Sequence, residues 1–151
     1  MRNKHSQLSR VEAHSLLKKM GLRKTVARTN LLQCLAEQTS LKSQAEICEL
    51  LAPHGFDTST IFRGLTDLIE AGLVVRIDTG DRIWRFELHD RDPDGKLQPT
   101  HHPHAICTSC GEVICLQPEL LEKLAQLVSG WSLSEFILSG VCPECQNQPE
   151  A

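Results

Sequence analysis

Two Cys-x-x-Cys pairs, Cys107 with Cys110 and Cys142 with Cys145, constrain this chain of 151 residues more than any other feature. Four thiolates in two such pairs form a common ligand set for a tetrahedral structural zinc ion. The interval 111–141 between the pairs is longer than in a compact zinc ribbon, so the ion is expected to join distant parts of one small domain. The alternative is a set of buried or redox-active thiols. Seven cysteines without a secretory signal indicate a reducing cytoplasm, where such pairs bind metal more often than they oxidise.

The net charge of −3 conceals two halves of opposite sign. Residues 1–86 contain 13 Lys and Arg against 9 Asp and Glu, a balance of +4, and residues 87–151 contain 3 against 10, a balance of −7. A basic half favours nucleic-acid binding at the N-terminal end of the chain. No apolar run reaches the roughly 18 residues that span a bilayer, so no membrane partner is expected.

The fold class is predicted as α+β, with a winged helix-turn-helix domain over residues 1–88. Capping boxes of the Ser-x-x-Glu type begin helices at Ser9 and Ser43, and Gly21, Pro53 and Gly72 mark the ends of the first, third and fourth predicted helices. The four predicted helices cover 10–20, 25–37, 44–53 and 58–71. The segments 73–77 and 83–88, separated by the turn 79–81, predict the β-hairpin of the wing.

The fourth predicted helix has the pattern of a DNA recognition helix. With Ile61 and Leu65 inward, Ser59, Phe62 and Arg63 face outward near the helix start, where such a helix enters the major groove. Arg63 would contact guanine or phosphate, and Phe62 would contact thymine methyl groups. The predicted DNA-binding residues are Arg23, Lys24, Arg28, Ser59, Thr60, Phe62 and Arg63. The alternative is a solvated basic face on which Phe62 belongs to the peripheral core.

Residues 89–101 are predicted to form a hinge or linker loop, and residues 102–151 a small α/β domain that binds metal and dimerises. Strands are expected near 102–106, at 113–116, antiparallel to the first, and at 133–138. Pro118 is expected to begin a helix with Leu120, Leu121, Leu124, Leu127 and Val128 inside. A half of about 65 residues buries too little surface to be comfortably stable alone, so zinc and a second copy of the chain should supplement its core.

A second, regulatory metal site is predicted around His102 and His104, whose side chains share one face of a strand. If the Cys107–Cys110 turn closes a regular hairpin, Cys115 lies opposite His102. His89, and less surely Glu87, would reach the same ion from the end of the wing, and His101 is a weaker candidate. Three imidazoles and one thiolate would make a closed zinc site. The alternatives are that Cys115 is a core residue and that His89 and His101 are solvated loop residues.

Taken in order, these motifs resemble those of the ferric uptake regulator family of metal-dependent bacterial repressors over about residues 15–146. They are Gly21-Leu22-Arg23-Lys24-Thr25 with Arg28, the run 59–65, Phe86-Glu87-Leu88, the run 102–111 and Gly140-Val141-Cys142-Pro143-Glu144-Cys145. The resemblance implies a winged-helix domain, a hinge and a C-terminal dimerisation domain acting as a homodimer. It also implies structural zinc at the four cysteines, a regulatory metal at the hinge, and DNA contacts from Arg23, Phe62 and Arg63.

The departures from the family pattern bear on the identity of the regulatory metal. Cys115 stands where relatives have a carboxylate, and Leu41 or Lys42 stands where iron and peroxide sensors carry a histidine. His89 falls about where zinc-sensing members place a cysteine, and Phe62 replaces the usual tyrosine. Thiolate with imidazole favours zinc over iron(II) or manganese. The resemblance therefore points first to the zinc uptake regulator branch and second to an iron- or peroxide-sensing repressor.

The predicted function is a cytoplasmic, zinc-responsive repressor of metal-uptake genes, which binds an inverted-repeat DNA operator as a homodimer and acts on no small-molecule substrate. Its cofactors would be one structural zinc per chain and a second divalent metal. A rival from another class is a zinc hydrolase or deaminase, which needs an open metal position and a positioned carboxylate. Because no H-E-x-x-H or H-x-E motif is present, no enzyme activity is expected. A third possibility is a constitutive DNA-binding module whose metals are purely structural.

Overall fold

The computed structural model describes residues 7–89, 103–133 and 136–148. By their contacts these residues divide into two units, one of residues 7–38 and 42–89 and the other of residues 39–41, 103–133 and 136–148. None of the helices in these ranges combines the length and apolar character that crossing a bilayer requires.

The N-terminal unit contains four α-helices, each with limits within two residues of the predicted ones. They are α1 (Arg10–Lys19), α2 (Val26–Glu37), α3 (Gln44–Leu51), which a 3₁₀ turn (Ala52–His54) extends, and α4 (Thr58–Glu70). Ser9 forms both hydrogen bonds of a capping box with Glu12, and Ser43 does the same with Glu46. Asp57 caps α4 by accepting from the Thr60 amide at 2.6 Å. Local hydrogen bonding therefore defines each helix start.

The core of this unit lies where α2 packs against α4. Leu31 of α2 and Leu68 of α4 are buried there, together with Ile61 and Leu65, whose predicted inward orientation is confirmed. The two helices approach closely at Gly64, where an added Cβ would lie 2.5 Å from Cδ1 of Leu31. The glycine is thus part of the packing that fixes the orientation of α4 in its unit.

The wing is a three-stranded sheet in the order β1-β3-β2. The predicted hairpin is confirmed as β2 (Val74–Asp78) and β3 (Trp84–Leu88), antiparallel with Arg76 opposite Phe86. The short β1 (Lys42–Ser43) adds to the other edge of β3, with Lys42 also opposite Phe86. Strand β1 was not predicted, because two residues are too few to show alternation.

The C-terminal unit is built on a second three-stranded sheet in the order β5-β4-β6. Strand β4 (His104–Cys107) pairs antiparallel with β5 (Val113–Cys115) and parallel with β6 (Ile137–Gly140). Helix α5 (Pro118–Ala125) lies on the connection that parallel pairing requires, and a single turn, α6 (Pro143–Gln146), follows β6. Ser40 forms an isolated bridge with Ile114 on β5, and the Leu41 amide donates to the Val113 carbonyl at 2.9 Å.

Two predictions about this unit were wrong in detail. Leu127 was expected inside α5, but the helix ends at Ala125 and Leu127 is 79 % exposed. The last strand begins at Ile137 rather than at Leu133, and residues 134 and 135 lie outside the described ranges. Apolar periodicity does not reveal where a chain leaves a helix when no proline or capping glycine follows at once.

Candidate metal centres and nucleic-acid interface

The four predicted zinc ligands come together at one end of the β4–β6 sheet. The sulfur atoms of Cys107, Cys110, Cys142 and Cys145 all lie within 4.8 Å of one another, and Cys110 Sγ is 3.9 Å from Cys142 Sγ. Zinc–sulfur bonds of about 2.3 Å in a tetrahedron place the sulfurs about 3.8 Å apart, so the four thiols have the spacing that zinc needs. The parallel pairing of β4 with β6, which sets Cys107 opposite Gly140, brings the two distant pairs together.

Backbone amides surround one sulfur of this cluster. The Cys110 amide donates to Cys107 Sγ at 3.5 Å and the Cys142 amide donates to it at 3.3 Å. These two bonds, of which the one from the Cys110 amide contributes more, lower the pKa of Cys107 to about 6 because they stabilise the thiolate. The hydrogen bond with Cys142 raises the pKa of Cys145 to about 12. Closely packed thiols share protons, and a divalent cation that takes all four sulfurs would displace those protons.

A second pair of metal-binding side chains lies at the opposite end of β4. His104 is directly opposite Cys115 in the β4–β5 pair, and a ring nitrogen of His104 lies within 4.8 Å of Cys115 Sγ. The His104 side chain is buried, with 3 % of its surface exposed, whereas Cys115 is half-buried. An imidazole and a thiol at this separation suit a borderline-soft divalent metal.

The predicted partner of Cys115 was wrong, since it faces His104 rather than His102. The turn after β4 is longer than a regular two-residue hairpin. Cys107 pairs with Glu112 rather than with Cys110: the Cys107 amide donates to the Glu112 carbonyl at 2.8 Å, and Gly111 in the turn adopts a left-handed φ of 76°. Two extra residues shift the register by two positions, which keeps the same face. His101 and His102 lie outside the described residues.

His89 and Glu87, the candidates from the wing, lie at the end of β3 in the N-terminal unit. The His89 ring nitrogen Nδ1 is 3.0 Å from the Gly72 carbonyl, and the His89 amide donates to the Leu73 carbonyl at 3.0 Å. A histidine that donates from Nδ1 to a carbonyl is held in the tautomer that binds metal through Nε2, as metal-binding histidines commonly are. Glu87 is buried on β3.

The outward face of α4 carries the residues predicted to read DNA. Ser59, Phe62 and Arg63 are exposed, with 56 % of Phe62 accessible, and Thr60 is half-buried. Arg63 Nε donates to the Ser59 carbonyl at 3.4 Å, so the guanidinium lies along the first turns of the helix. This face can enter a major groove with an aromatic ring and a cation side by side.

The three basic residues near the start of α2 differ from one another. Arg23 and Lys24 are exposed, but Arg28 is half-buried. Its Nε and Nη2 donate to Asp67 Oδ2 at 3.2 and 2.6 Å, and its Nη1 donates to the Arg23 carbonyl at 3.0 Å. Arg28 therefore ties α2 to α4 and supports the loop that carries Arg23. The role of Asp67, on α4, as the partner of Arg28 was not predicted from the sequence.

The chain matches the profile of the ferric uptake regulator family over residues 19–139. It is 32 % identical over 142 residues to a ferric uptake regulation protein of Bordetella parapertussis, covering 87 % of this chain and 95 % of the relative. It is 31 % identical over 144 residues to the peroxide operon regulator of Bacillus subtilis, covering 91 % and 93 %. A solved zinc uptake regulator, complexed with zinc and DNA, shares the fold with a TM-score of 0.58 and 23 % identity, covering 91 % of this chain and 92 % of that one.

These comparisons confirm the predicted fold class and the predicted family, and they include iron-, peroxide- and zinc-named regulators together. The chain belongs to the ferric uptake regulator family and is a metal-responsive transcriptional regulator, not an enzyme.

Proposed function

We propose that this regulator is a zinc-responsive repressor that binds DNA as a homodimer in the cytoplasm. The observation that carries the proposal is the pairing of His104 with Cys115 across β4 and β5, away from the four-cysteine cluster. A chain with two separate sets of metal-binding side chains can keep one ion for folding and respond to another. Seven cysteines without a disulfide suit a reducing compartment.

The chemistry of the second site favours zinc. Thiolate and imidazole are ligands that zinc prefers, whereas iron(II) and manganese(II) sites rely more on carboxylate oxygen. We assign His104 and Cys115 as regulatory ligands on their geometry, and His89 and His102 on the sequence pattern. Glu87 and His101 remain weaker candidates for the same site. The four-cysteine set, Cys107, Cys110, Cys142 and Cys145, would hold the structural zinc.

The proposed domains are a DNA-binding domain of residues 1–88, a hinge of 89–101 and a dimerisation domain of 102–151. When bound, the regulatory metal would link ligands of the DNA-binding domain to ligands of the dimerisation domain. His89, held by Gly72, would fix the wing side of that link, and His104 and Cys115 would fix the other side. The α4 helices of the two protomers would then match the half-site spacing of an inverted repeat.

DNA contacts would come from two groups of residues in the N-terminal unit. Phe62, Arg63, Ser59 and Thr60 on α4 would meet base edges and nearby phosphates, and Arg23 and Lys24 would hold the backbone. Arg28 supports this surface through Asp67 and the Arg23 carbonyl. A metal that raises the population of the DNA-competent arrangement from 1 % to 99 % must bind that arrangement more tightly by about 5.5 kcal/mol.

The test is DNA affinity as a function of metal. The protein, depleted of exchangeable metal but retaining its structural zinc, would be titrated against a duplex selected from random-sequence DNA, with zinc, iron(II) or manganese(II) added. We expect zinc to raise affinity at the lowest free concentration. Equal affinity with and without every metal would contradict a metal-dependent repressor and favour a constitutive DNA-binding module.

An iron- or peroxide-sensing repressor is the second candidate. The names of the two relatives at 31–32 % identity favour it. In the same titration, activation by iron(II) at a lower free concentration than zinc would establish this candidate instead. Loss of DNA binding on treatment of the iron-loaded protein with peroxide would then separate a peroxide sensor from an iron sensor.

A further inference from the structure

Two backbone hydrogen bonds close the C-terminal end of α4. The Gly72 amide donates to the Ile69 carbonyl at 2.9 Å. The Leu73 amide donates to the Leu68 carbonyl, also at 2.9 Å. Gly72 has a left-handed φ of 73°, which glycine adopts without steric cost at the end of a helix. The Gly72 carbonyl is therefore part of the closed last turn and moves with α4.

His89 forms hydrogen bonds with two residues that follow α4. Its ring nitrogen Nδ1 is 3.0 Å from the Gly72 carbonyl, and its backbone amide donates to the Leu73 carbonyl at 3.0 Å. A carbonyl oxygen only accepts, so in the neutral ring Nδ1 carries the proton and Nε2 carries the lone pair that can bind a metal. The end of α4 thus orients the half-buried ring of His89.

A displacement at the end of α4 would turn the face that is predicted to read DNA. Helix α4 contacts α2 closely at Gly64, where an added Cβ would lie 2.5 Å from Cδ1 of Leu31. Phe62 and Arg63 come immediately before this contact, and Gly72 follows it by about 12 Å along the axis at the rise of an α-helix. Because α4 is one continuous helix, a shift of Gly72 would rotate α4 about the contact and redirect Phe62 and Arg63.

We propose that His89 connects the regulatory metal site to the recognition helix, with Nε2 as a metal ligand and Nδ1 bound to the Gly72 carbonyl. The inference rests on the proposed function, for which it names the route of regulation. Metal-binding histidines usually donate their other ring N–H to such an acceptor, and this bond becomes stronger when the ring gives electron density to a cation. An occupied site therefore favours the orientation of α4 in which the bond to Gly72 is formed.

This route predicts a separation between two affinities. If zinc raises DNA affinity by a given factor, DNA raises zinc affinity by the same factor. The part of that factor that passes through Gly72 depends on the Nδ1 donor of His89, whereas zinc binding itself depends on Nε2. A substitution that supplies another zinc ligand without a donor should therefore bind zinc normally and transmit less to DNA. A merely structural role of His89 predicts no such separation.

Three variants of the full-length protein separate the two ring nitrogens. His89→Asn keeps an amide N–H donor near the position of Nδ1 and has no counterpart of Nε2. His89→Cys supplies a thiolate for zinc and no donor for the Gly72 carbonyl. His89→Ala lacks both groups. His54→Asn, at an exposed histidine of the same unit, is the control for loss of an imidazole. Retained structural zinc and thermal unfolding would be checked for every variant.

Zinc affinity would be measured by chelator competition, with and without a duplex selected from random-sequence DNA, and DNA affinity by fluorescence anisotropy, with and without zinc. We expect His89→Asn and His89→Ala to lower zinc affinity at least tenfold, because a ligand is lost. We expect His89→Cys to retain the zinc affinity measured without DNA. Its zinc-dependent gain in DNA affinity should be smaller by about fivefold, as loss of one hydrogen bond would produce. His54→Asn should change neither affinity.

Two results in these titrations would overturn the inference and leave the proposed function intact. An unchanged zinc affinity in His89→Asn would show that His89 is not a ligand. A full zinc-dependent gain in DNA affinity in His89→Cys would show that the bond to Gly72 transmits nothing.

NMR of the unsubstituted protein with isotope-labelled histidine tests the ring directly, since the His89 signals are those missing from His89→Asn. We expect zinc to bind Nε2 and the proton to remain on Nδ1. Zinc on Nδ1 would break the bond to Gly72 and overturn the inference. A DNA affinity of the unsubstituted protein that does not respond to zinc would count against the proposed function itself, and the NMR result would still decide which nitrogen of His89 binds metal.

Discussion

His104 and Cys115 are directly opposite each other in the antiparallel pair β4–β5, with a ring nitrogen and the sulfur within 4.8 Å. The pair lies at the end of β4 remote from Cys107, the first residue of the four-cysteine cluster. One short strand therefore carries a candidate ligand for each of two metal sites. Because His104 and Cys107 lie at opposite ends of β4, with two residues between them, the two sites can be tested independently.

Substitution of the regulatory pair should abolish the metal response without removing the structural zinc. We expect His104→Ala and Cys115→Ser each to reduce zinc-dependent DNA affinity by at least tenfold, since each removes one of few ligands. Metal analysis before and after mild chelation should show one retained zinc per chain in both variants. Cys34→Ser, at a buried core cysteine of the N-terminal unit, is the matched control for loss of a thiol. A normal zinc response in both variants would show that the pair is only a core contact.

Removal of the four-cysteine zinc should unfold the C-terminal unit. We expect Cys110→Ser and Cys145→Ser to lose the retained zinc and the protease resistance of the C-terminal unit, because little apolar surface is buried there.

Retention of zinc by the four-cysteine cluster should also fall as pH decreases. The pKa of Cys145 is raised to about 12 and that of Cys107 lowered to about 6, so zinc must displace protons that become more abundant at low pH. Retention that is independent of pH between 5 and 8 would contradict thiolate ligation.

A methyl group at position 64 should disturb the packing of α4 on α2. Gly64→Ala is expected to lower the free energy of unfolding by about 1–3 kcal/mol, since its Cβ would overlap Cδ1 of the fully buried Leu31. In a Leu31→Ala background the overlap disappears, and alanine should then stabilise the helix by up to about 1 kcal/mol relative to glycine. Urea unfolding of the four proteins in this cycle measures the coupling. Equal effects in both backgrounds would rule out the steric contact.

Arg28 should behave as a structural residue more than as a DNA contact. Arg28→Ala and Asp67→Ala should each lower the free energy of unfolding by about 1 kcal/mol, and the double variant should cost little more than either one. The salt dependence of DNA binding should remain close to that of the unsubstituted protein after Asp67→Ala. A salt slope reduced by Arg28→Ala but not by Asp67→Ala would show instead that Arg28 binds phosphate.

The ion pair between Arg85 and Asp81 at the tip of the wing, with Arg85 Nη2 2.7 Å from Asp81 Oδ2, should contribute stability that acid removes. Arg85, together with the Ile83 amide and Thr79, holds the pKa of Asp81 well below its ordinary value of 3.8. A depressed pKa in the folded state stabilises the protein above the unfolded value and is lost as pH falls. Asp81→Asn should therefore be less stable than the unsubstituted protein at pH 7, and this difference should shrink below about pH 4. Thermal unfolding across pH 3–7 measures this difference in stability. A difference that stays constant over that range would contradict a stabilising ion pair between Arg85 and Asp81.

The helices of the DNA-binding unit could be predicted closely from the sequence, because their ends depend on residues within one turn. Ser9, Ser43 and Asp57 accept hydrogen bonds from amides three residues away, so each start is encoded locally. Pairing in the sheets is not local. The two-residue β1 could not be recognised from the sequence. The partner of Cys115 was misplaced by two positions, because the turn between Cys107 and Glu112 is two residues longer than the predicted one.

By itself, the sequence determined the helix starts, the outward face of α4 and the two Cys-x-x-Cys pairs that can hold a metal, since each of these follows from spacing along a single segment. Only the tertiary structure decided which residues meet across segments. The parallel pairing of β4 with β6 gathers the two cysteine pairs, Asp67 holds Arg28, and Arg85 is buried beneath the wing tip. The physical reason is that such contacts depend on chain reversals and on the exclusion of water from packed surfaces, neither of which a local pattern of residues records.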